Sequence, residues 1–140
     1  MRIAISLLIL MTVAAPALAE PTPSRRLCNP DRIKQTNAWV DCLQKALDES
    51  EAKLSTTAGK IAAAMQAGSV LDEPNRTQNR ALFEATHKKW MSVRDDDCKS
   101  YGAHQAGLGF GAVQYRLMCL LDETTYRIDA LKARHADDLK

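Results

Sequence analysis

Residues 36–68 read TNAWVDCLQKALDESEAKLSTTAGKIAAAMQAG, and the spacing of their apolar side chains decides the fold. Trp39, Leu43, Leu47, Leu54, Ile61 and Met65 recur at intervals of four and seven. That spacing puts them on one stripe of an α-helix with 3.6 residues per turn and does not alternate across a strand. It predicts a first long helix over about 36 to 67, capped by Thr36 or Asn37 and ended at Gly68. Downstream, Leu82 with Phe83, Thr86, Trp90 and Val93 form a second stripe, entered through Asp72-Glu73-Pro74-Asn75 and stopping near Ser100 because Gly102 follows. A third stripe, Val113, Leu117, Leu120 with Leu121, Thr124, Ile128 and Leu131, runs almost to the C-terminus. No segment sustains the two-residue alternation of a half-buried strand. The expected fold is all-α: three long helices, the first two an antiparallel hairpin around the Gly68–Glu73 link.

Between the second and third helices lies SYGAHQAGLGFG, residues 100–111, with four glycines. Glycine permits positive φ and close backbone approach, so this stretch reads as a shaped loop or a frayed helix start. It contains Gly107-x-Gly109-x-Gly111, but a phosphate-binding reading needs a preceding strand and a βαβ unit, and the pattern contains neither.

The opening residues, MRIAISLLILMTVAAPALA, combine Arg2, an apolar run from Ile3 to Ala15 and the small-x-small ending Ala17-Leu18-Ala19. This is the pattern of a secretory signal peptide cleaved after Ala19. The run is shorter than the roughly 20 apolar residues of a membrane span, and position 20 is Glu, which leaves no cysteine for a lipid anchor. Residues 20–27, EPTPSRRL, read as a flexible leader, and 28–140 as a single helical domain. Without Arg2 the basic and acidic residues nearly balance, so nothing points to nucleic acid or an anionic membrane surface. Four cysteines in an exported chain, Cys28, Cys42, Cys98 and Cys119, read as two disulfides. No Cys-x-x-Cys occurs and His87, His104 and His135 are far apart in sequence, so neither a metal nor another cofactor is expected.

Residues 90–98, WMSVRDDDC, concentrate the charged chemistry of the chain. Trp90 lies on the second stripe and reads as a core anchor. Arg94 is one helical turn from Trp90 and one from Cys98, placed to join the packed core to a disulfide. Asp95 is the nearest carboxylate for its guanidinium, while Asp96 and Asp97 read as a solvated face. Adjacent carboxylates on a helix point in different directions and cannot flank one scissile bond. No serine sits in a nucleophile elbow and no histidine accompanies a plausible nucleophile, so an enzyme is not expected.

Together these residues resemble the LprI-like lysozyme-inhibitor family. The resemblance rests on Trp90-x-x-x-Arg94-Asp95-x-x-Cys98, then Cys119, Thr124, Tyr126-Arg127-Ile128 and Leu131, with Cys28-Asn29-Pro30, Thr36, Trp39 and Cys42 upstream. The family's Ala-Asp-x-x-Leu-Asn-x-x-Tyr segment becomes Ser50-Glu51-x-x-Leu54-Ser55-x-x-Ala58, keeping only the acid type and the leucine. The resemblance implies a small helical module, exported or periplasmic, in which Trp90, Arg94, Asp95, Thr124 and Arg127 form a structural motif. It favours sequential pairing, Cys28 with Cys42 and Cys98 with Cys119. A register estimate that sets Cys42 opposite Cys98 leaves the alternative of Cys28 with Cys119 open.

The function it implies is binding and blocking a lysozyme to protect the cell envelope. The alternatives are an immunity or envelope-stress protein directed at another wall-degrading effector, and a small-ligand binder or hydrolase. For a protein that plugs an enzyme cleft, the candidate surface is the glycine-rich stretch, presenting Tyr101, His104, Gln105 and Phe110.

Overall fold

In the computed structural model, which describes residues 20–33, 35–68 and 71–140, four helices follow one another: α1 (Pro23–Leu27), α2 (Thr36–Ala67), α3 (Glu73–Ala106) and α4 (Phe110–Arg134). No strand occurs among the described residues. The expected signal peptide, residues 1–19, lies outside them. No helix among them is long and apolar enough to cross a membrane.

The first and third stripes pack as their spacing requires. Leu43, Leu47, Leu54 and Ile61 of α2 are buried, as are Leu117, Leu120, Leu121, Thr124, Ile128 and Leu131 of α4. They form two clusters along the bundle axis. One gathers Leu43, Leu47, Leu117 and Leu121 around Cys28 and Cys98; the other joins Leu54, Ile61, Ile128 and Leu131, with Phe83 and Trp90 packed against it. Trp39 is only partly buried at the first cluster, and its indole N–H donates to the Cys28 carbonyl (2.8 Å).

The second stripe is displaced. Leu82 and Val93 are 65% and 48% exposed, Thr86 is exposed, and Val113 on α4 is exposed as well. The line that α3 turns toward its neighbours is Phe83, His87, Trp90, Arg94, Cys98 and Gly102, of which only the last three are fully buried. Trp90 is therefore half-buried rather than a sealed core residue. Gly102 does not end the helix, as the sequence reading expected. A Cβ there would meet the Ala112 carbonyl oxygen at 2.5 Å and Arg116 Cβ at 3.2 Å, so glycine lets α3 and α4 touch backbone to backbone. The helix runs on to Ala106, and the glycine-rich loop contracts to a turn at Gly107, where φ is +68°.

The leader is also corrected. Pro23 takes the first helical position of α1, where a missing N–H costs nothing. Ser24 is buried, its backbone N–H donating to Asp122 Oδ1 (2.6 Å) and its hydroxyl to Oδ2 (2.9 Å). One carboxylate on α4 thus docks the segment, a contact that local sequence cannot reveal. At the start of α2 the cap position is Gln35, without a side-chain cap, where Thr36 or Asn37 was expected. At the start of α3, Asp72 accepts from the Asn75 N–H (3.1 Å).

The cysteines pair sequentially, Cys28 with Cys42 and Cys98 with Cys119. The register explains why the alternative fails. Arg94 of α3 meets Glu51 of α2, so in the antiparallel hairpin Cys42 faces a position near 103. That is five residues, about 7 Å of helix, beyond Cys98.

Candidate functional site

Arg94 stands where the three long helices meet, between the two apolar clusters, and its residue is 7% exposed. Its Nη1 donates to Thr124 Oγ1 on α4 (2.7 Å) and its Nη2 to Glu51 Oε1 on α2 (2.9 Å). Nε and Nη2 also converge on Asp95 Oδ1 (2.9 and 2.7 Å). The Thr124 hydroxyl donates its own hydrogen bond to the Leu120 carbonyl (2.6 Å), so its oxygen is free to accept from the arginine. A planar guanidinium with five donors can serve acceptors from three helices at once; an ammonium cannot. The Glu51 and Asp95 side chains are about half exposed (45% and 51%). The cation is therefore buried while its counter-charges stay wet.

Trp90 completes the cluster. The guanidinium carbons of Arg94 and Arg127 lie 5.5 and 5.2 Å from its ring centroid, within cation–π range. His87 stacks on Trp90 (6.3 Å between centroids) and Phe83 on His87 (6.2 Å). The five residues that the resemblance marked as a motif, Trp90, Arg94, Asp95, Thr124 and Arg127, thus come together. Glu51 belongs with them and was missed, although the retained acid type at that position was its signal. Asp96 and Asp97 lie exposed on α3.

Burial pushes the His87 imidazole below its ordinary pKa of 6.5, and the Arg127 and Arg94 cations push it further the same way. The sign of the stability effect follows. Below pH 6.5 the unfolded chain takes up a proton that the native imidazole still refuses, so stability falls as the pH drops and levels off once the native group titrates. Urea midpoints measured as a function of pH should show this limb in the native protein, and His87→Gln should flatten it. An equal slope in the variant would assign the limb to other groups. Burial and the neighbouring Arg134 also lower Arg127 from its ordinary value.

Tyr101, His104 and Gln105 occupy the last turns of α3, and Phe110 is the first residue of α4. The stretch is a helical hairpin tip rather than a long insertable loop. All four side chains are exposed, Tyr101 packing edge-on against Tyr115 (6.3 Å between centroids). The sequence reading missed three others at this end. Leu108 is 97% exposed at the turn, and Val113 and Tyr115 are exposed on the first turns of α4. A groove of about 500 Å³ runs from Trp90 and Arg94 past Tyr101 and His104 toward this tip.

All four cysteines are oxidised. Among the described residues no group of three His, Cys, Asp or Glu side chains is arranged to hold a metal ion. The Arg94 guanidinium is occupied in joining α2, α3 and α4.

Comparison with curated proteins and with solved structures gives no match. A protein-family model, described as lysozyme inhibitor LprI, matches residues 28–131. That span holds both disulfides, the Arg94 cluster and the hairpin tip. The match covers well over half of the sequence, and the chain belongs to the lysozyme inhibitor LprI family.

Proposed function

We propose that this protein is an exported, non-catalytic inhibitor of lysozyme that presents the α3–α4 hairpin tip to the enzyme. The observation that carries the reading is the exposed apolar group at that tip, Leu108, Phe110, Tyr101, Val113 and Tyr115. Isolated apolar residues on a surface are ordinary, but several large ones gathered at one end mark an interaction site. Aromatic side chains are the usual anchors of such sites. The tip is braced by the Cys98–Cys119 bridge and by the close helix contact at Gly102, so little entropy is lost when it docks. A lysozyme cleft holds a carboxylate pair, and His104 and Tyr101 can donate hydrogen bonds to it without a formal charge. The signal-peptide pattern and the two disulfides support a periplasmic or secreted location.

The test is lysis of cell walls, followed by turbidity, with lysozymes of several types and purified oxidised protein. Inhibition by the native protein is expected. Leu108→Asp with Phe110→Asp should weaken it at least about tenfold, the loss of two apolar anchors, with the thermal midpoint kept within a few degrees because both side chains are exposed. Unchanged lysis at a large molar excess for every lysozyme would end the inhibitor reading and leave another wall-degrading effector as the partner to try. Full inhibition by the double variant would place the contact away from the tip.

A further inference from the structure

The end of the bundle opposite the hairpin tip carries a second feature, which the proposed inhibition does not use. The C-terminal turns of α2, the first turns of α3 and the last turns of α4 enclose a groove of about 480 Å³, within the range of small-molecule sites. Met65, Leu71, Leu82 and Phe83 supply its apolar wall. Leu82 and Leu71 stand 65% and 42% exposed there, an arrangement that costs hydration unless something apolar covers it.

Three arginines, Arg76, Arg127 and Arg134, line the same groove. None of them is ion-paired among the described residues. The Nε atoms of Arg76 and Arg127 are buried with no acceptor in the protein, although buried donors are nearly always satisfied. Arg76 spends one Nη1 hydrogen on the Leu71 carbonyl (2.5 Å). Asp138, the one carboxylate among the lining residues, is hydrogen-bonded to the His135 ring (2.9 Å). The groove therefore holds more positive charge than its own carboxylate balances, beside an uncovered apolar wall. Burial, and after it the neighbouring Arg134 cation, disfavour the charged form of Arg127.

We propose that this groove binds a single-chain amphipathic anion, an acyl or alkyl chain ending in a carboxylate or phosphate. The head takes the guanidinium donors, whose planar fork suits both oxyanions, and the chain lies along Leu82, Phe83 and Met65. A purely polar anion leaves the apolar wall wet, and a neutral lipid leaves the arginines unpaired; only a ligand with both parts answers both deficits.

The test is displacement of a fluorescent dansyl-undecanoate probe from the oxidised protein by dodecanoate, dodecyl phosphate, dodecanol, acetate and inorganic phosphate. Saturable one-to-one displacement by dodecanoate or dodecyl phosphate is expected, with dodecanol at least about tenfold weaker and both short anions inactive. The tighter of the two chain-bearing anions identifies the head group, carboxylate or phosphate. Leu82→Glu and Arg134→Gln, both at exposed positions and so compatible with folding, should each weaken dodecanoate binding, the first at least about tenfold. Neither substitution touches the hairpin tip, so lysozyme inhibition should be unchanged in both, which separates this site from the proposed inhibitory one. Dodecanol binding as tightly as dodecanoate would reduce the groove to a greasy surface. Undiminished affinity in both variants, or no saturable binding by either anion, would overturn the proposal.

Discussion

Reduction of both disulfides is expected to remove about 4–8 kcal/mol of stability, at about 2–4 kcal/mol for each bridge. A domain of this size has about 5–15 kcal/mol in all, so reduction takes a large share of it and should lower the thermal midpoint by many degrees. The bridges join segments 14 and 21 residues apart, and each closes a loop that costs the unfolded chain entropy. They also enter the same apolar cluster, where Cys28 and Cys98 are fully buried beside Leu43 and Leu121. Their losses should therefore not be strictly additive. Thermal melts followed by circular dichroism, with and without reductant, measure the sum. Paired Cys→Ala substitutions separate the two bridges: losing Cys28–Cys42 releases α1 and the segment leading into α2, and losing Cys98–Cys119 loosens the hairpin that carries the exposed tip. A midpoint within a few degrees of the oxidised protein after full reduction would show that the helices hold without their covalent ties. Alkylatable thiol in the unfolded, oxidised protein would contradict the pairing itself.

The sequence disclosed α2 and α4 well because each buries a continuous apolar stripe, and periodicity is a signal of burial before it is a signal of helix. It disclosed α3 as a helix and placed Phe83 and Trp90 toward the core, but it also put Leu82, Thr86 and Val93 there. The fully buried part of that line is carried by Arg94, Cys98 and Gly102, of which a hydropathy count would choose only the cysteine, while Leu82 and Val93 sit in solvent. Gly102 misled in the same way. A glycine inside a helix reads as a stop, and its reason here is a carbonyl on α4 that lies too close for a Cβ. α1 was invisible because its stabilising partner, Asp122, is 98 residues away from Ser24. The end proposed to meet the enzyme was half legible: Tyr101, His104, Gln105 and Phe110 read as a loop, whereas they occupy the last turns of α3 and the first residue of α4. Leu108, the most exposed apolar side chain of the tip, drew no notice because exposure is a property of the packed molecule.

The second large effect belongs to Arg94. Replacing it by alanine should cost about 3 kcal/mol, from charge-assisted hydrogen bonds worth about 1.5–3 kcal/mol and from the space left where three helices meet. The cost is held to that size because the carboxylates it leaves behind, Glu51 and Asp95, are half exposed and can be hydrated. The opposite truncation is milder for a different reason. Glu51→Ala removes one acceptor, but Arg94 keeps Asp95 and Thr124, so the buried cation is never left without a partner, and a loss of about 1 kcal/mol is expected. Arg94→Lys tests the geometry rather than the charge. An ammonium on a flexible stem cannot reach acceptors on three helices together, so lysine should recover less than half of what alanine loses. Urea unfolding of the three variants and of the Glu51→Ala, Arg94→Ala double variant closes a thermodynamic cycle. Once Arg94 is gone, removing Glu51 should add almost nothing, because the carboxylate then faces only water. If Glu51→Ala alone proves as costly as Arg94→Ala, the glutamate is holding α2 by something other than this arginine, and the guanidinium is not the joint between the helices.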